Sequence, residues 1–171
     1  MAKIIAIATD DFEDSELISP KEALENVGHT VDVVEHTAKK IITGKHGTEV
    51  ITTKGIDDAK LADYDALLIP GGFSPDKLRI DERYVNLTRA FLESDKPVFT
   101  ICHGPQLFIQ TGITDQLTLT AYQSVQPDLK YAGANVKDAQ VVIDDEHQLI
   151  SSRTPKDLPA FNAAIIKALA K

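Results

Sequence analysis

Strand-like and helix-like segments alternate along this chain from its first residues to its last, which predicts an α/β fold: a flavodoxin-like three-layer α/β/α sandwich around a mostly parallel sheet. Three observations carry the prediction. The apolar runs KIIAIAT, DALLIP and KPVFTI are of strand length, as expected for strands covered on both faces. Segments rich in helix formers separate them. No repeat, linker or low-complexity stretch interrupts the 171 residues, a length that one domain over 1–171 accommodates with a sizeable core.

Taken in order, KIIAIAT is a first buried strand. ISPKEALENVGH reads as a helix with Gly28 at its C-terminal cap and Pro20 in or near its first turns. TVDVVEH alternates and reads as a second strand. KKIITGKHGTEVITTKG has β-branched runs on either side of GKHG and reads as a hairpin. DYDALLIPGG is a strand running into two glycines, DERYVNLTRAFLESDK an amphipathic helix, KPVFTI the next strand and CHGPQLFIQTG its following helix. LTLTAY, a helix through QPDLKYAG, a hairpin over AQVVIDDEHQLISSR and a last helix from PKDLPAFNAAIIKALAK complete the chain.

Composition narrows the function. The net charge of −8 argues against nucleic acid and anionic membranes as partners. The first residues, MAKIIAIATDD, read as a strand rather than a secretory signal. The chain has 1 cysteine, which cannot form an internal disulfide, so an intracellular, cytoplasmic protein is expected. The five histidines are scattered and show no ligand spacing, so no metal and no cofactor are expected.

In open parallel sheets, ligands bind beyond the carboxyl ends of the strands, where the strand order reverses. Three predicted strands end in unusual chemistry, in TDDFEDSE, PGGFSPD and ICHGP. If these strands are neighbours, Glu13, the Gly71–Gly72 turn and Cys102 share one cleft. PVFTICHGPQLFI changes period at Cys102, from strand to helix. A residue on such a corner projects from the sheet as a nucleophile elbow does. It also lies at a helix start, where peptide dipoles favour a thiolate, so a thiol pKa of about 5–6 is expected. At a sharp corner His103 can face the same cleft. The plainer reading is an inert buried cysteine followed by a structural histidine. For Gly71 and Gly72 the plainer reading is a tight turn, and for Glu13 a solvated loop acid.

ICHGPQ, preceded by LLIPGG and with DFEDSE after the first strand, resembles the DJ-1/PfpI superfamily, in particular its PfpI-like intracellular protease branch. The resemblance runs over nearly the whole chain and includes SSRTP before the last helix. It implies a flavodoxin-like fold, a strained cysteine elbow, and dimers or larger rings. It also implies peptidase or amidase, glyoxalase or protein deglycase activity, with roles in oxidative stress. Residue by residue, it makes Cys102 the nucleophile and His103 its base. It makes Glu13 the acid hydrogen-bonded to the sulfur, and the Gly71–Gly72 turn with the His103 N–H the oxyanion site, Gly72 donating. Tyr122 becomes a site tyrosine. Asp76 stands where the protease branch has a glutamate that orients the histidine of a neighbouring subunit, and it is shorter by one methylene.

Two function classes follow. In the first, a cysteine-dependent hydrolase or glyoxalase-type enzyme attacks the carbonyl carbon of a small carbonyl compound or of a peptide or protein. In the second, a redox sensor or stress protein uses the same thiolate as an oxidisable group without an obligatory substrate. A homodimer or higher homo-oligomer is expected in either case. Arg153 is a candidate to pair with an acid near the cleft or to serve at the surface, and His46 and His147 are expected to be solvated.

Overall fold

The structure, a computed structural model, describes residues 1–170. In chain order it contains β1 (Lys3–Ile7), α1 (Asp14–Asn26), β2 (Thr30–Glu35), β3 (Ile41–Thr43), β4 (Glu49–Ile51), β5 (Lys54–Gly55) and β6 (Ala66–Ile69). There follow α2 (Ser74–Leu78), α3 (Glu82–Leu92), β7 (Val98–Ile101), β8 (Thr118–Leu119) and α4 (Gln126–Tyr131). The chain ends with β9 (Asn135–Val136), β10 (Val142–Asp144), β11 (Leu149–Ser152) and α5 (Leu158–Leu169). Seven strands form one sheet in the order β10-β11-β7-β6-β1-β2-β5. Every pairing in it is parallel except β10 with β11.

The buried strands explain the three layers. Along β1, Ile5 and Ile7 point to one face with Leu67 and Ile69 of β6, against Tyr84 and Phe91 of α3. Ile4 and Ala6 point to the other face, where Leu17 and Leu24 of α1 and Phe161 and Ile165 of α5 cover them. Ile4, Ile5, Ala6 and Ile7 are all fully buried, and truncating any one of the isoleucines to alanine costs about 2–5 kcal/mol. Among the described residues no helix is long and apolar enough to cross a membrane.

Two local features differ from the sequence expectation, and one agrees closely. Helix α1 begins four residues before ISPKEALENVGH, at Asp14, and carries Pro20 in its interior. Its end is as expected: Gly28 has φ +92°, with its N–H on Glu25 O and the His29 N–H on Leu24 O, a Schellman cap. The segment Gly104–Thr111 is a 3-10 helix rather than an α-helix. Pro105 brings no N–H to it, and the hydroxyls of Thr111 and Thr114 occupy the Phe108 carbonyl that an α-helical ladder would use.

Strand order decides where chemistry can occur. β6 lies between β1 and β7, so the three segments that follow these strands emerge side by side. The hairpin of β3 and β4 folds over this end of the sheet, antiparallel as expected, with Ile42 opposite Val50.

Candidate active site

Cys102 is the first residue beyond β7 and adopts φ +62°, in the left-handed region that side chains avoid. Two backbone bonds hold it there. Its N–H donates to Ser152 O at 3.0 Å, and its carbonyl accepts the Tyr122 N–H at 2.9 Å. Glycine lets the neighbouring loop come close. A Cβ on Gly71 would lie 2.9 Å from both Cys102 Cβ and His103 N. Gly72, at φ +78°, packs on the backbone of Asp11, Phe12 and Glu13.

The acid beside the sulfur is Glu16, not Glu13. Glu16 lies in the first turn of α1, fully buried. Its Oε2 accepts the Gly71 N–H at 2.8 Å. Its Oε1 is buried and has no hydrogen-bond partner among the described residues, and the carboxyl lines the same cavity as the Cys102 thiol and interacts with it electrostatically. Glu13 sits just before the helix, in extended conformation, and lines the same cavity with its carboxylate engaged by other groups. It meets Lys45 Nζ at 3.1 Å and His46 Nε2 at 3.2 Å.

Gly71 also corrects an expectation. Its N–H is already engaged by Glu16 and is not free for an oxyanion. The N–H groups of His103 and Gly72 are the ones that face the cysteine sulfur and act to lower its pKa. His103 Nδ1 lies 3.3 Å from Sγ, and its ring stacks on Tyr122 with centroids 5.0 Å apart. Asp76 is exposed on the first turn of α2, within electrostatic reach of His103 in the same chain. Among the described residues no hydrogen bond joins Asp76 to His103.

Burial sets the protonation states. It pushes the Glu16 carboxyl up to about 8, against the lowering effects of Cys102 and Gly71, so at neutral pH Glu16 is mostly protonated. Burial also pushes the Cys102 thiol up, and an ionised Glu16 pushes it further. An expected thiol pKa of about 5–6 overlooks this: Cys102 is only 7% exposed. The pair is too close to carry two charges and titrates as a unit. While Glu16 keeps its proton, three donors face the sulfur: the carboxyl and the N–H groups of Gly72 and His103. They oppose the burial penalty. Burial, then Lys45, lowers the His103 pKa, which leaves a neutral imidazole that can accept a proton.

Glu13, Glu16, Lys45, Gly72, Phe73, Cys102, His103, Tyr122 and Pro155 enclose a cavity of about 290 Å³. A larger hollow of about 570 Å³ beside α4 is lined by no cysteine, serine or histidine. Arg153 clamps the segment leading to Pro155, with Nε 3.0 Å from Asp157 and Nη1 3.0 Å from Asp138. His46 is exposed as expected, whereas His147 is buried against Asp144. Glu13, Asp14 and His46 bring ligand-type atoms within 4.8 Å of one another. The Asp14 oxygens, however, already accept the N–H groups of His46 and Thr48 at 2.9 Å each.

Sequence reasoning missed Glu16 and Lys45. Glu16 could have been found: with Pro20 and Leu24 it continues the i, i+4 stripe that α1 buries. Lys45 carried no comparable signal, because only the folded hairpin brings it to the cysteine.

Comparison with known proteins fits this geometry. The model of the DJ-1/PfpI family matches residues 2–168. "Putative cysteine protease YraA" of Bacillus subtilis is 49% identical over 98% of each chain. "General stress protein 18" of the same organism is 48% identical over 99% of this chain and 98% of its own. "Protein/nucleic acid deglycase 2" of Escherichia coli is 48% identical over 98% of this chain and 97% of its own. A solved two-domain protein with DJ-1/ThiJ/PfpI-like and ferritin-like domains, from Anabaena variabilis, superposes with a TM-score of 0.95 at 31% identity. That match covers 99% of this chain and 48% of the other, about half its length.

Proposed function

The chain belongs to the DJ-1/PfpI family, and from that premise we propose that it is a cysteine-dependent hydrolase whose Cys102 thiolate attacks a carbonyl carbon. The observation that carries the reading is the convergence on one sulfur of a buried carboxyl, a neutral imidazole at 3.3 Å and two backbone N–H groups. In the attack, the sulfur–carbon bond forms and the carbonyl π electrons move to oxygen. The N–H groups of Gly72 and His103 are placed to stabilise that oxyanion, a contribution of about 10²–10³ in rate per donor in other acyl-transfer enzymes. His103 takes the thiol proton and gives it to the leaving group. Water then hydrolyses the acyl-sulfur bond and regenerates the thiol.

The cavity favours a small carbonyl compound or one modified side chain over a long stretch of peptide, since about 290 Å³ is at the low end of ligand pockets. The deglycase relative supports the same class. The test is a panel of methylglyoxal, its protein adducts and peptide amides, on wild type and Cys102→Ala side by side. Turnover that disappears with Cys102 is expected, and turnover retained in Cys102→Ala refutes the reading.

We place the working unit as a homo-oligomer, with Asp76 serving His103 of a second copy. Asp76 and the nearby Phe73 and Ile80, 63% and 86% exposed, support this. Mixing Cys102→Ala with Asp76→Ala subunits under exchange conditions should restore activity. Full activity of Asp76→Ala alone removes the shared site. The second reading, oxidation of Cys102 as the functional event, draws on the general stress relative. It gains ground if the panel shows no turnover while peroxide modifies Cys102.

A further inference from the structure

The strand hairpin over the site delivers one cation to it, and that cation has donors to spare. Lys45 lines the cavity with Cys102. Its ammonium has three N–H groups, and Glu13 Oε2, at 3.1 Å, is its one hydrogen-bond partner among the described residues. Its Nζ also lies 5.8 Å from the centre of the Phe73 ring, beside the Gly72 donor.

The residue is held in place by its backbone. The Lys45 N–H donates to Phe12 O at 2.9 Å, and the Gly44 N–H to Thr48 O at 2.8 Å. The Asp14 carboxylate accepts the N–H groups of His46 and Thr48 from below, and it packs so closely on Gly44 that a Cβ there would lie 2.5 Å from Asp14 Oδ1. The hairpin tip is therefore preorganised, and only the lysine side chain remains adjustable. The other charged groups on the cavity are acidic. Glu16 is mostly protonated at neutral pH, and Glu13 faces the Lys45 ammonium and the His46 ring at once. Glu13 keeps its His46 partner if Lys45 turns toward a ligand.

We propose that Lys45 is the specificity-determining residue of this site, an anion subsite that selects substrates carrying a carboxylate attached to the reacting carbon. The inference rests on the reading of Cys102 as the nucleophile and narrows its substrate class. Without Lys45, a carboxylate placed beside a thiolate would only be repelled. With it, the ammonium offsets that repulsion and its free donors bind the carboxylate.

Two alkylating reagents of nearly equal size isolate this charge effect. Iodoacetate and iodoacetamide react with the thiolate in the same way: the sulfur–carbon bond forms, the carbon–iodine bond breaks and iodide leaves. The ratio of their rates at Cys102 cancels the thiolate fraction, because both consume the same species. Mass spectrometry follows the adducts. The expected result is an iodoacetate preference, relative to glutathione, that falls about tenfold in Lys45→Met. It is kept in Lys45→Arg and weakens with added salt in wild type. An unchanged ratio in Lys45→Met overturns the proposal, including the case in which both rates fall together and Lys45 acts on the thiolate alone. Because alkylation needs no turnover, a failed substrate panel removes the hydrolase reading without deciding this one.

Discussion

Replacing Glu16 by glutamine and by leucine separates the two effects its carboxyl has on Cys102. Glu16 is fully buried, and the Gly71 N–H holds one carboxyl oxygen, which leaves the other to act on the sulfur. Glutamine keeps an acceptor for Gly71 and presents an NH₂ donor to the thiolate. Leucine fills the space and offers neither. A hydrogen bond to a charged acceptor contributes about 1.5–3 kcal/mol, and one pKa unit corresponds to about 1.4 kcal/mol. Glu16→Leu should therefore raise the thiol pKa by about 1–2 units. Glu16→Gln should titrate no higher than wild type, because the amide never acquires the negative charge that Glu16 gains near its own value of about 8. Ultraviolet thiolate absorbance against pH measures this, with Cys102→Ala as the blank and circular dichroism to confirm the fold. If leucine leaves the titration unchanged, the carboxyl does not act on the thiol. If leucine lowers the pKa, Glu16 is ionised at neutral pH and the reasoning given for the site fails.

Three further outcomes are expected. Glu16 is protonated in the folded chain but ionises near its ordinary value, about 4.5, when unfolded. Stability is therefore fullest below that value and falls, by up to about 1.4 kcal/mol per pH unit, until about pH 8. Urea denaturation of wild type against Glu16→Gln at about pH 5 and about pH 8 should show this slope in wild type alone, and parallel profiles refute it. Gly72→Ala should destabilise more than Gly28→Ala, as thermal unfolding will show. Both need positive φ, worth about 1–2 kcal/mol, but only Gly72 packs against backbone atoms, whereas a Cβ on Gly28 meets nothing within 4 Å. Mild peroxide should add oxygen at Cys102, a mass shift absent from Cys102→Ala, and a thiol that resists peroxide while Glu16 is intact contradicts the reading of Cys102 as a reactive group.

The sheet was legible because its strands are buried on both faces, so apolar runs alone mark them. That the three strand ends share one cleft hung on the strands being neighbours, and the structure meets that condition by placing β6 between β1 and β7. The two-residue strands β5, β8 and β9 were not resolved as separate elements, since so short a segment has no period to read. The identity of the buried acid was lost for one reason. With α1 started at Ile18, all of FEDSE looked like loop, and no acid in it could be ranked by helical face. Starting the helix at Asp14 puts Glu16 four residues before Pro20 and on the covered side. His147 was misjudged because a hairpin turn usually points its polar residues to water, whereas here Asp144 draws the ring and the turn N–H groups inward.

The hairpin of β3 and β4 has a consequence for how such a site diversifies. The nucleophile, its acid and its N–H donors all belong to the sheet ends and to α1, where neighbouring backbone leaves little freedom to substitute. The cation comes from a separate strand pair, attached to this frame through main-chain hydrogen bonds and the Asp14 carboxylate. Those attachments are indifferent to the side chain at position 45. With Cys102 as the proposed nucleophile and Lys45 as the proposed anion subsite, reaction and recognition are encoded in different stretches of chain, and exchanging a single residue at the hairpin tip would retarget the site while leaving the frame beneath it intact.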